Sequence, residues 1–411
     1  MTRTPKSAVV SPRLGAQVGV GGHLAVGLVL AVLAAYLWAS CACADAEGPL
    51  CDGFAPMWLS ATTVLVLQER GAVEVDLKAG TTRTLATATR FHPEAVPIVS
   101  PTDPSSVAAL TVVEKEGVSA GAVVSVLNLR TGEARSATDR PVNAQSAGLT
   151  WSRDGKALLF CADKSGVPLH EVTVTKSKVR YDPETGQAQR TETTATAQVP
   201  YSAIWQTAIS GDEASQLTHE PACYDLAPQV SPVSDAVAFF RVYTDRTADG
   251  VMDDSGPMTA CAVMVLTPGA QEPIAVSERT VDSFPRWSPD GRTIAFTRFE
   301  PRRDAIWVYD TESREARRLV SGDLYPVDPP RYISWSPDGA DVCFLSSGDL
   351  YAAALEGGLP RRLTQRAGIE GVFSLSPDGA KVAFARDGKA HVRALAAPAA
   401  GAQEAAPAQG Q

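Results

Sequence analysis

The chain has 411 residues, of which 45% are hydrophobic, with 32 Gly and 29 Pro, the make-up of an ordinary globular protein with many turns. Length alone suggests two or three domains, although a single repeat architecture can occupy most of such a chain. Residues 1–46 carry Arg3, Lys6, Arg13 and Asp45, so the remainder sets 34 Lys+Arg against 45 Asp+Glu. That balance argues against nucleic acid or an anionic lipid surface as partner and serves solubility.

The chain opens with a basic stretch free of acids, then an apolar run from Leu24 to Ala39 and the small-residue site Ala44-Asp45-Ala46. This pattern reads as an export signal over 1–46, cut before Glu47. Two other readings stay open: a lipoprotein site at Cys41, and an uncleaved anchor, since about 16–18 apolar residues is marginal for a span. All three put the body outside the cytoplasm, because the positive flank stays inside. Any membrane contact is then confined to this N-terminal segment.

From Phe54 onward short runs with period-two alternation dominate, the signature of antiparallel strands. Met57-Trp58-Leu59-Ser60, Val64–Leu67 and Ala72–Leu77 form a first unit. Ser100-Pro101-Thr102-Asp103 opens a second, and Trp151-Ser152-Arg153-Asp154-Gly155 a third. The third is interrupted at about 170–199 by a Thr-, Lys- and Gln-rich insertion that reads as a long hairpin around Asp182–Gly186. Val230-Ser231-Pro232 opens a fourth unit, and the last three open at Trp287, Trp335 and Leu375. Each of these carries Ser-Pro-Asp-Gly, where Pro presets φ, Asp bonds the local backbone and Gly accepts a positive φ. The turn aspartates recur at about the length of one four-stranded blade.

The expectation is an all-β chain forming a single β-propeller over 47–396. It has seven blades of four-stranded antiparallel sheets, or six if the weakly marked first two merge. The last blade supplies three strands, so residues around Pro49–Phe54 are expected to add the fourth and close the ring. Residues 397–411 lack apolar payload and read as a disordered Ala/Pro tail.

The stretch 287–296 meets the pattern W-S-P-D-G-x-x-I-A-F, and the repeats resemble the TolB-like family of WD40-like propellers. The resemblance covers roughly 54–396, with clear motifs over 145–396. It implies a propeller and an extracytoplasmic place in bacteria, the periplasm or cell envelope. Members also carry an α/β domain before the propeller, for which the blade pattern beginning near Phe54 is expected to leave no room.

Candidate chemistry is sparse. Thr244–Asp254 resembles the start of an EF-hand-type calcium loop, with Asp245, Thr247, Asp249 and Asp253 as side-chain ligands and Val251 through its carbonyl. Gly256 at the position of the usual final acid makes any calcium affinity weak. Gly117-Val-Ser119-Ala-Gly121 matches a nucleophile motif, but within a hairpin loop rather than at a strand-to-helix turn. His92, His170, His219 and His391 form no local metal pattern and read as surface or turn residues. Cys223 and Cys261 flank one blade and are a candidate disulfide; Cys161 and Cys343 read as core thiols. The functional expectation is a non-catalytic binding scaffold whose rim takes a protein or envelope component. The alternative is a channel-site enzyme on glycans or peptides, like pectin-fragment lyases built on similar repeats.

Overall fold

In a computed structural model, the described residues are 48–396, apart from 116–117, 143–147, 182–187, 212, 254–255, 278–279, 301–302 and 328–331. Within strands, the side chains of 114–115, 118–120, 173–181, 188–192, 245–247, 249–253 and 256–257 are also outside the description. Residues 1–47, which include the stretch expected from sequence to be an export signal or anchor, the tip of the insertion and residues 397–411 lie outside the described residues.

Seven four-stranded antiparallel sheets form a β-propeller, and no helix occurs among the described residues. In chain order the blades occupy 54–90, 98–136, 149–216, 223–275, 282–320, 334–362 and 373–394. The weakly marked first two are therefore separate blades. The insertion is a two-stranded hairpin, His170–Tyr181 paired with Ala188–Val199, between the second and third strands of blade 3. First strands of neighbouring blades lie against one another, so they stand nearest the axis.

The ring closes as expected. Cys51–Asp52 pairs with Lys389–Ala390 as the outermost strand of blade 7, and the chain then crosses into blade 1. Gly53 makes that crossing at φ +144°, where a Cβ would stand 2.5 Å from the Leu67 carbonyl oxygen.

Each repeated letter has a physical duty. The phenylalanines of the second strands, Phe160, Phe239, Phe296, Phe344 and Phe384, are among the most deeply buried side chains. Burying each contributes about 1.5–3 kcal/mol. The tryptophans reach across blade boundaries. Trp151 Nε1 donates to the Ile98 carbonyl at 3.0 Å, Trp287 to Gln229 at 3.1 Å and Trp335 to Arg286 at 3.0 Å. In every case the acceptor belongs to the innermost strand of the preceding blade.

The Ser-Pro-Asp-Gly turn is a closed hydrogen-bond unit. Ser288 Oγ donates to Asp290 at 2.6 Å and accepts the Thr293 amide at 2.9 Å, while Asp290 accepts the Arg292 amide at 3.1 Å. Ser152, Ser336 and Ser376 repeat the arrangement with Asp154, Asp338 and Asp378. Gly291, at φ +67°, faces Val233 of the preceding turn, and a Cβ there would approach it to 2.3 Å. The turns therefore stack around one face of the ring.

Ser288→Ala leaves the buried Thr293 amide unpaired, and chemical denaturation is expected to show a loss of about 1–3 kcal/mol. The Ser288 hydroxyl, then the Arg292 amide, hold the Asp290 carboxyl below its usual range. A depressed carboxyl stabilises the fold above about pH 4 and ceases to do so as pH falls through its folded value. The difference between wild type and variant should therefore shrink in acid.

Candidate functional site

With the aspartate turns on one face, the connections between second and third strands and those between blades emerge on the other. That second face carries the elaborations: the insertion hairpin of blade 3, the long hairpin of blade 4 (Val237–Asp253 and Gly256–Leu266), and two concavities.

The first concavity lies where the insertion hairpin meets blade 4. His170, at the base of the insertion, stacks on Tyr201 with ring centroids 4.0 Å apart. Its Nε2 is 2.6 Å from the Tyr224 hydroxyl, on the innermost strand of blade 4. Tyr243, Thr244 and Thr259 complete the lining. Burial lowers the His170 pKa, opposed by the Val199 backbone; burial, then Tyr201, pushes the Tyr224 hydroxyl up to about 12. Both groups are thus held neutral at physiological pH, and His170 acts as a tether of the hairpin.

Beneath this joint lies a buried charge network. Asp225 and Arg241 are opposite one another in register and joined by a fork of 2.7 and 3.0 Å. Burial would pull the Arg241 guanidinium down, and the Asp225 carboxylate more than reverses it. The ammonium of Lys164, also buried, donates to the Cys223 carbonyl at 3.1 Å and to the Glu220 carbonyl. Blade 5 repeats the fork with Asp282 and Arg298 at 2.6 and 2.8 Å. Arg298 also lies 4.0 Å over the Trp307 ring. These pairs satisfy one another and fix the inner ends of the two blades.

The second concavity is a cleft of about 510 Å³ where blades 7, 1 and 2 meet at the ring closure. Phe54, Phe91, Pro93 and Val112 supply its apolar lining, and Asp52, Gln68, Glu69 and Arg90 its polar one. Its size falls in the range of ligand pockets.

The residues singled out in the sequence are distributed as follows. Asp245, Thr247, Asp249, Val251 and Asp253 lie on the second strand of blade 4 near its hairpin end. An extended run puts alternate residues on one side at about 6.6–6.8 Å intervals, and the pairing here shifts register on either side of Thr247. Their side chains are outside the described residues. Ser119 falls in the strand Val118–Asn128 beside a hairpin tip.

The histidines are not all surface or turn residues. His391 is buried on a strand of blade 7, stacked on its cross-strand partner Phe384, and His170 is built into the aromatic joint. None stands on an innermost strand, and no cluster of three His, Cys, Asp or Glu forms a metal site among the described residues.

The candidate pair Cys223 and Cys261 is not bonded; both thiols are free and buried. They pair with Tyr243 and Val242 on opposite sides of the same strand. Two strand spacings separate their backbones by about 10 Å, beyond the reach of a disulfide. Burial, then the Asp225 carboxylate, pushes the Cys223 thiol up to about 12.

Comparison with known proteins bears out the resemblance read from the sequence. Residues 261–405 match the family described as the TolB β-propeller domain. The Tol-Pal system protein TolB of Anaeromyxobacter dehalogenans is 31% identical over 111 residues, 25% of this chain and 23% of that protein. An uncharacterized peptidase, YuxL of Bacillus subtilis, is 32% identical over 91 residues, 20% of this chain and 13% of that protein. The matched stretches thus span less than a quarter of the length of these relatives. Among solved structures, an oligogalacturonate lyase from Vibrio parahaemolyticus superposes with a TM-score of 0.56 at 13% identity, covering 86% of this chain and 93% of that one. A second oligogalacturonate lyase, in complex with manganese, gives 0.55 at 15% identity over 85% and 91%. At such identities these likenesses speak for the propeller fold.

Arg241→Met strands the fully buried Asp225 carboxylate without its fork, and denaturant unfolding should register a loss of about 3–5 kcal/mol. Replacing both residues, as Asp225→Leu with Arg241→Met, should cost less than the single change.

Proposed function

We propose that this protein is an exported, non-catalytic propeller that binds a protein or envelope component through the face opposite the aspartate turns. The observation that carries this reading is the asymmetry of the two faces. The turn face repeats one compact unit in four of the seven blades, whereas the other carries both long hairpins and a ligand-sized cleft. The buried charges of blades 4 and 5 are spent on one another in forked pairs, as suits structural rather than reacting groups. The family match over 261–405 and the TolB relatives support an envelope setting. The export signal or anchor at 1–46 is part of the same reading.

The test compares partner capture from the cell envelope by the exported protein and by a variant whose insertion, 171–198, is replaced with a short turn. Loss of the captured partner is expected, with the thermal unfolding of the propeller retained. Turnover of oligogalacturonate with manganese, or of peptide substrates, would overturn the scaffold in favour of a channel-site enzyme.

Weak calcium binding by Asp245, Thr247, Asp249, Val251 and Asp253 belongs to this proposal as an accessory that stiffens the blade 4 hairpin. Calorimetry should record heat only at millimolar calcium, abolished by Asp249→Ala; absence of heat removes calcium from the account.

A further inference from the structure

We propose that the second strand of the insertion hairpin, Ala188–Val199, pairs edge to edge with the same strand of a second copy of this chain. The two strands would run antiparallel about a two-fold axis at Thr191. Such pairing goes beyond the scaffold reading and does not depend on it.

The hairpin is a sheet of two strands joined to no other sheet, so each strand keeps one edge without a ladder partner. Edges of this kind invite pairing with other chains unless charge, proline, a bulge or brevity prevents it. The first strand, His170–Tyr181, is guarded. Lys176, Lys178 and Arg180 recur at every second position and so share one face, and two copies meeting there would set like charges against one another. The second strand lacks each of these defences. It runs for 12 residues without proline or lysine, and its pairing with the first continues along its whole length without a bulge. Threonine at 191, 193, 194 and 196 favours the extended backbone.

The two charges on that strand name the occupant. Arg190 and Glu192 flank Thr191, and within the hairpin they stand opposite Val179 and Ser177, which are uncharged. An antiparallel copy centred on Thr191 brings Arg190 of each chain opposite Glu192 of the other. Gln189 then meets Thr193 and Ala188 meets Thr194, so no like charges face one another across the seam. An axis one residue away sets Arg190 against Arg190, or Glu192 against Glu192. The register is therefore selected by charge. On the opposite face Lys178 lies across from Thr191, which keeps the two copies of Lys178 three strand spacings, about 14 Å, apart and beyond the screening length. Thr191 stands about 27 Å along the strand from Val199 at the hairpin base, so the seam lies away from the propeller bodies.

Sedimentation velocity between about 5 and 500 µM, the range of weak association, is expected to show a reversible monomer–dimer equilibrium. Glu192→Arg and Arg190→Glu should each weaken the dimer about tenfold, and the double swap should restore it to within about threefold of wild type. The single changes move net charge in opposite directions, so general repulsion between acidic bodies cannot account for both losses. Thr191→Cys should form a disulfide between copies in oxidised glutathione, above the wild-type background, because the two copies of that residue face one another. Thr193→Cys, about 14 Å from its counterpart, should not. The pairing is refuted if the protein stays monomeric throughout, if the double swap fails to restore the dimer, or if the two cysteine variants cross-link alike. A dimer that survives replacement of 171–198 by a short turn refutes it equally.

Discussion

A propeller blade has two broad faces to bury and two edges to protect, and the indole N–H donated across the blade boundary ties these needs together. Trp151, Trp287 and Trp335 each fill the space between two sheets and spend their single donor on the innermost strand of the neighbour. An apolar residue of similar size would fill that space but leave the acceptor carbonyl unserved. The tie is directional, always towards the preceding blade, so the stacking angle is repeated rather than merely permitted. Where the tryptophan is replaced, as by Val230, the polar link persists in another form: the Val230 amide lies 3.4 Å from Thr150 Oγ1.

Blades 4 and 5 add a second device at the opposite end of the inner strands. The forks Asp225–Arg241 and Asp282–Arg298 are buried pairs whose partners stand in direct cross-strand register. Buried pairs of this kind seldom add net stability, because desolvation offsets attraction. Their value lies in register. A slip of one residue would strand both charges, so each fork fixes the bulged inner strand, at Leu226/Gln229 in one blade and Ser283/Arg286 in the other. The aromatic joint of His170, Tyr201 and Tyr224 is mounted directly on the first of these strands.

Much of this was legible in the sequence, and what was not has a common cause. Local alternation and turn chemistry announce the later blades, whereas the first, where Trp58 is followed by no aspartate turn, leaves six or seven open until the structure shows seven. Closure by residues near Cys51 follows from counting strands. The Asp225–Arg241 fork is hidden because its partners are 16 residues apart and meet only through a bulge that no local pattern reveals. His391 was misread for a related reason: its polar ring suggests the surface, yet its place opposite Phe384 makes it core. The cleft escaped entirely, since its walls come from opposite ends of the chain and exist only once the ring has closed.

The closing strand has a kinetic consequence. Cys51 finds Ala390 only after six blades have been laid down between them, a contact of very long sequence separation with a correspondingly large entropic cost. A chain delivered N-terminus first must therefore hold its opening strand unpaired until the final residues arrive. Of all steps in maturation, that interval is when the molecule is most open to edge-to-edge association with its own copies.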